Sequence, residues 1–127
     1  MDDSKRPNIF LIMSDEHDPT ITGCYGHPYI RTPNIDQLSA SGTVFENAYC
    51  NSPICLPSRM SFLTGQYVHE INAWDNGAVV SENIQTMGDY FAAENYETVL
   101  CGRMHINGKD RNRGFDHRLL DDMDKWL

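Results

Sequence analysis

Long hydrophobic runs are missing from this 127-residue chain: the longest, residues 9–13, holds five apolar residues, against the roughly 20 that a bilayer-crossing helix requires. That shortage excludes a transmembrane helix. Positive charge is scarce too, with 10 Lys and Arg against 18 Asp and Glu and a net charge of -8. Without a basic stripe to release counterions, a general affinity for nucleic-acid phosphates is excluded. The four cysteines (Cys24, Cys50, Cys55, Cys101) form no C-x-x-C pair, which excludes a zinc knuckle or a thioredoxin-like motif. Residues 1–7 carry acids where an export signal carries net positive charge, and the apolar stretch behind them is too short for one. A cytoplasmic protein with free thiols, no membrane contact and no nucleic-acid partner is the expectation. Asn-x-Ser/Thr sequons, internal repeats and low-complexity tracts are absent as well.

What is present is the profile of an ordinary globular sequence, 40% hydrophobic, 22% charged and 10% aromatic. A chain of this size buries roughly two-thirds of its unfolded surface, enough for a core without a disulfide scaffold.

Residues 8–13, Asn-Ile-Phe-Leu-Ile-Met, are continuously apolar after the first position, the pattern of a strand buried on both faces of a parallel sheet. They run directly into Ser14-Asp15-Glu16-His17-Asp18, where functional residues of open α/β sheets cluster, just past a strand end. A turn-rich stretch, Gly23-Cys24-Tyr25-Gly26-His27-Pro28, follows. Pro33-Asn34 opens a predicted helix through Leu38 and Ala40, stopped by Gly42, with Asn34 as candidate cap. Residues 43–50 have the β-branched and aromatic weight of a second strand. Residues 58–64 read as a short helix with Pro57 in its first turn and Gly65 at its end. Ile84, Met87, Tyr90 and Phe91 fall on one helical stripe, and residues 96–100 read as another strand. The order β-α-β-α-α-β predicts an α/β sandwich. The closing residues 119–127 carry no helix stop signal.

Cys55-Leu56-Pro57-Ser58-Arg59 concentrates the chemistry. A side chain at a helix start faces unpaired amide protons and the positive end of the helix dipole, a setting that favours a tetrahedral anion. Arg59, about one turn on, can point back to the same place with a planar fork of donors suited to sulfate or phosphate oxygens. The blander reading is a small buried cysteine followed by a solvated arginine.

This pentapeptide resembles the C-x-P-S-R signature of the sulfatase family, in which the cysteine is oxidised by a separate enzyme to formylglycine. Four further stretches resemble that family in the same order. Residues 7–15 resemble P-N-I-x-x-I-x-x-D. Gly23-Cys24-Tyr25-Gly26 with residues 32–38 resembles G-C-Y-G and T-P-N-L-D-x-L. Residues 45–49 resemble F-x-N-A-Y, and residues 96–108 resemble Y-x-T-x-x-x-G-K-x-H-x-x-G. The stretch from Gly102 to His105, with Gly114-Phe115-Asp116 after it, looks most like the choline-sulfatase-like and bacterial arylsulfatase-like branch.

The resemblance implies the amino-terminal part of an alkaline-phosphatase-like α/β/α sandwich with a mostly parallel sheet. Residues 1–127 would then be a partial catalytic domain whose carboxyl-terminal half is absent, leaving a sheet edge and apolar helix faces uncovered. It also implies sulfate ester hydrolysis by formylglycine derived from Cys55, on a small-molecule sulfate ester, after maturation by a formylglycine-generating enzyme. Asp15 matches the first carboxylate of a divalent cation site, calcium above all, a fitting ion for hard carboxylate oxygen. Glu16 stands where many relatives have a second aspartate. His105 matches the histidine that contacts the formylglycine hydrate or the sulfate, and Arg103 stands where the family usually has lysine. His17, His27, His69 and His117 are expected outside the site. Rival readings are a phosphonate or phosphate ester hydrolase of the same fold, a truncated non-catalytic remnant, and a thiol-based cysteine enzyme.

Overall fold

The structure, a computed structural model, describes residues 6–120. The acidic opening at residues 1–5 and the closing run at residues 121–127 lie outside the described residues. The chain divides into two compact units, Met1–Asn47 and Ala48–Leu127.

In the first unit two 3-10 turns, Pro19–Ile21 and Gly23–Tyr25, precede helix α1, Pro33–Ser41. Asp18 caps the first turn by accepting from the Thr20 amide. Helix α1 is capped at Thr32 with Pro33 at its first position, so Asn34 sits inside the helix and not at its cap. The Thr32 hydroxyl donates to Asp36 Oδ1 at 2.8 Å and accepts from the Gly23 amide at 2.9 Å. A Cβ at Gly23 would stand 2.6 Å from Asp36 Oδ2, so the turn can approach the helix this closely only at glycine. The G-C-Y-G and T-P-N-I-D stretches therefore form one interlocked piece.

Residues 8–13 do not form the predicted strand. They have no sheet partner among the described residues, and Phe10 and Ile12 are 87% and 77% exposed. A strand apolar on both faces is stable only with neighbours on both sides, and none is supplied here. Residues 43–50 likewise lack strand geometry and are exposed throughout.

The second unit is built around helix α2, Cys55–Thr64. Leu56, Met60 and Leu63, at the i, i+4, i+7 spacing of one helical face, are each at most 2% exposed. They pack with Ile71, Ala73, Val80, Leu100, Met104 and Ile106. Each such side chain contributes about 1.5–3 kcal/mol of burial. Gly65, with φ 68°, ends α2 in the left-handed region, its amide donating to the Ser61 carbonyl.

Helix α3, Met87–Ala93, starts later than the apolar stripe suggested because Thr86 and Asp89 form a capping box. The Thr86 amide donates to Asp89 Oδ2 at 2.7 Å, and the Thr86 hydroxyl donates to the Arg113 carbonyl at 2.5 Å. Strand β1, Val99–Cys101, pairs in parallel with β2, His117–Leu119, with Leu100 opposite Arg118. This is the only sheet among the described residues.

The crossover from β1 to β2 is held by two clasps. Asp116 Oδ2 accepts from the Thr98 amide at 2.8 Å and its hydroxyl at 2.9 Å, and the Asp116 amide donates back to Thr98 Oγ1 at 2.9 Å. Arg113, 3% exposed, donates to the carbonyls of Val80, Ser81 and Ile84 at 3.3, 3.1 and 3.0 Å. Its five-donor fork can close three separate carbonyls of one loop, which a lysine could not match in geometry.

Candidate functional site

Cys55 is the first residue of α2 and is half-buried. Ile54, the cap residue, is extended and offers no side-chain hydrogen bond. The missing cap is supplied from elsewhere: the Leu56 amide donates to Asn76 Oδ1 at 3.0 Å, across 20 residues of sequence. Pro57 has no amide proton to satisfy, and the Ser58 amide bonds the Ile54 carbonyl at 2.9 Å. The thiol thus stands at the positive end of a ten-residue helix, a setting that favours negative charge on its substituent.

Arg59 lies one turn further into α2 and is 8% exposed. Its Nη1 donates to the Arg103 carbonyl at 2.7 Å, so the two arginines named from the sequence are joined, side chain to backbone. A guanidinium held in this way keeps its charge within the second unit instead of in bulk water.

From Arg103 onward the chain alternates: Met104 and Ile106 are buried at 8% and 2%, while Arg103 is exposed and His105 and Asn107 are half-buried. The apolar pair anchors the segment in the core. His105 holds φ 51°, a left-handed conformation that is uncommon for a residue with a Cβ and is concentrated at functional sites. Asn107 Nδ2 donates to the Asn76 carbonyl at 2.8 Å and the Ala78 carbonyl at 3.1 Å. The second unit therefore brings together Cys55, Arg59, the Arg103 backbone and the segment carrying His105.

Asp15 and Glu16 belong to the first unit, both exposed, in a turn that follows residues 8–13. Glu16 has φ 53°. Their carboxylates are the hard oxygen donors that a calcium ion takes, so the donor type fits. The described residues contain no group of three or more His, Cys, Asp or Glu able to hold a metal, so these two would supply only part of a shell of roughly six to eight oxygens.

Each remaining histidine makes a local contact. His17 Nε2 is 2.8 Å from Thr22 Oγ1. His27 Nδ1 accepts from the amides of Tyr29 and Ile30 at 3.2 and 2.8 Å, His69 stacks on Tyr67, and His117 pairs with Glu97 at 3.2 Å. Two carboxylates are held low by hydrogen bonds. The Thr98 amide and then its hydroxyl keep Asp116 below the ordinary range, and the Thr20 hydroxyl and then its amide do the same for Asp18.

Nothing in the sequence singles out Asn76, Asn107 or Arg113. Asn76-Gly77 and Asn107-Gly108 carry the local signature of turns, and nothing local announces that their side chains reach across 20 and about 30 residues.

Residues 7–126 match the sequence profile of the family described as Sulfatase. The chain is similar to an uncharacterised sulfatase, YidJ, of Escherichia coli strain K12, at 40% identity over 84% of this chain and 21% of that protein. It is also similar to an N-acetylglucosamine-6-O-sulfatase of Bacteroides thetaiotaomicron, at 34% identity over 91% of this chain and 20% of that protein. Among solved structures, one described in complex with its substrate D-glucosamine-2-N,6-O-disulfate superposes with a TM-score of 0.83 and 35% identity, covering 90% of this chain and 23% of that one. The chain spans about a fifth of the length of the curated relatives it matches.

Proposed function

The chain belongs to the sulfatase family, and from that membership we propose that the protein hydrolyses sulfate esters of small molecules, with a nucleophile made from Cys55. The observation that carries the reading is the placement of Cys55 at the start of α2 with Arg59 one turn on, fixed to the Arg103 carbonyl. Residues 1–127 are proposed as the amino-terminal part of a longer catalytic domain. The exposure of Phe10, Ile12 and Leu38, at 87%, 77% and 68%, supports that reading, because apolar surface of this extent is normally covered.

Formylglycine at position 55 would supply, as its hydrate, one hydroxyl that attacks sulfur as the S–O bond to the alcohol breaks and the alcohol leaves, and a second whose deprotonation re-forms the aldehyde and releases sulfate. Oxidation by a formylglycine-generating enzyme is the maturation step that this requires. The amino-terminal end of α2 holds the tetrahedral anion. Arg59 adds cationic charge there, and the Arg103 side chain supplies a second guanidinium. His105 donates from a ring nitrogen to a sulfate oxygen and moves a proton between that nitrogen and the oxygen at position 55. Asp15 and Glu16 are proposed as oxygen ligands of a divalent cation, calcium above all, which would supply charge neutralisation. The four cysteines are free thiols, the form a reducing compartment maintains, so a cytoplasmic location belongs to the same proposal. No helix among the described residues is long and apolar enough to cross a membrane.

The test is sulfate release from an aryl sulfate by protein co-expressed with the maturation enzyme. Turnover that disappears in Cys55→Ala supports the reading. Release at equal rates by the two proteins would overturn it.

A further inference from the structure

The segment 103–107 grips α2 at two places. Its first residue accepts from Arg59 through a backbone carbonyl. Its last residue, Asn107, reaches α2 indirectly, through the turn that presents Asn76. That turn, residues 74–77, is exposed, and within it the Gly77 amide donates to Asp75 Oδ1 at 2.8 Å. The longer-range tie comes from Asn107, whose two amide hydrogens meet the carbonyls of Asn76 and Ala78 on either side of Gly77. So held, the turn presents Asn76 Oδ1 to the Leu56 amide.

The Leu56 amide belongs to the peptide plane that joins residues 55 and 56. Holding it restrains ψ of Cys55, and with it where the position-55 Cβ stands at the helix start. Ile54 offers no side-chain cap that could do the same. We propose that Asn107 is a positioning residue for the position-55 side chain, acting through the turn that presents Asn76 and the Asn76-to-Leu56 hydrogen bond. The inference rests on the reading of Cys55 as the precursor of the nucleophile. His105 lies between the two grips, so one five-residue segment sets both its own imidazole and the residue it serves.

The test uses the full chain with Cys24, Cys50 and Cys101 replaced by serine, leaving Cys55 as the only thiol. It reads amide hydrogen exchange at Leu56 and the rate of Cys55 alkylation by iodoacetamide. Asn107→Asp keeps the shape, removes the donor and sets negative charge against two carbonyls. Both rates are expected to rise about five-fold, while exchange at Leu100 in β1 stays within about two-fold. Asn107→Gln, which retains the amide donor, is expected to bring both rates back toward the parent. Asn76→Ala is expected to give the same rise alone, and no further rise when combined with Asn107→Asp.

An unchanged Leu56 amide, or additive effects in the double variant, would overturn the proposal. A rise in exchange throughout the second unit, in both Asn107→Asp and Asn107→Ala, would also overturn it by making Asn107 a general stabiliser. All of these values are read on the thiol. Failure of Cys55 to become formylglycine would sink the functional reading while leaving the positioning result intact.

Discussion

Arg59 Nη1 donates to the backbone carbonyl of Arg103 at 2.7 Å, across 44 residues of sequence. The bond joins the helix that carries Cys55 to the segment that carries His105, and it uses a carbonyl, which no substitution at position 103 removes. The positive charge of Arg59 is thus held in a low-exposure setting, where it acts on a nearby anion with little screening.

Replacement of Arg59 separates charge from geometry. Arg59→Ala removes a charged donor to the Arg103 carbonyl and is expected to cost about 2–3 kcal/mol of unfolding free energy in denaturant titration. Arg59→Lys keeps the charge without the fork and is expected to recover only part of that loss. Equal stability of all three proteins would show that the bond carries no energy.

Arg113 is expected to be a larger structural determinant than any residue of the site. It is 3% exposed and closes three carbonyls. Arg113→Ala leaves the carbonyls of buried Val80, exposed Ser81 and half-buried Ile84 without those donors, at a cost of about 3–5 kcal/mol. Circular dichroism melts of Arg113→Ala and Arg113→Lys measure this, and a loss below that of Arg59→Ala would contradict it.

Acid destabilisation has a named source in the second unit. Hydrogen bonds from the Thr98 amide and hydroxyl hold the Asp116 carboxyl below its ordinary value of 3.8. A depressed folded-state value means that the contribution is fully present above the ordinary carboxylate range and is lost as pH falls through the lower folded value. Asp116→Asn is expected to flatten the acid limb of a stability-against-pH curve below about pH 4. An acid limb identical to the parent would contradict the assignment. Asp18, held low by Thr20, follows the same sign in the first unit.

Asp15 and Glu16 are expected to contribute unequally to cation binding. Asp15→Asn removes one of the carboxylate charges proposed to face the ion and should weaken calcium binding by about 10–100-fold in calorimetric titration. Glu16→Gln, a longer side chain at a left-handed position, should weaken it less. Undiminished calcium affinity in Asp15→Asn would remove Asp15 from the ligand set.

Helices α1, α2 and α3 and strand β1 were readable because their determinants are local: a proline in the first turn, glycine past the end, and apolar residues at helical spacing. Residues 8–13 and 43–50 carry the composition of strands but not the strands, because composition cannot supply the neighbours that a doubly apolar strand requires. Strand β2 went unseen for the opposite reason. His117-Arg118-Leu119 has little strand character, and its pairing follows from the Thr98–Asp116 clasp next to it. In the candidate site, the juxtaposition of Cys55 and Arg59 was legible because one helical turn separates them. Asn76, Asn107 and Arg113 were not, since each acts by a side chain bonded to a distant backbone group, a relation that sequence spacing does not encode.

Whether Cys55 is the precursor of the nucleophile is read from the mass of the tryptic peptide of residues 32–59. After co-expression with an active formylglycine-generating enzyme, the expected mass is that of an aldehyde, and of its hydrate, in place of a thiol at position 55. It also follows from Cys55 as precursor that a hydrazide reagent labels this peptide in the parent protein and not in Cys55→Ala. An unmodified thiol at position 55, in a preparation where the same enzyme has converted a control substrate, would contradict it.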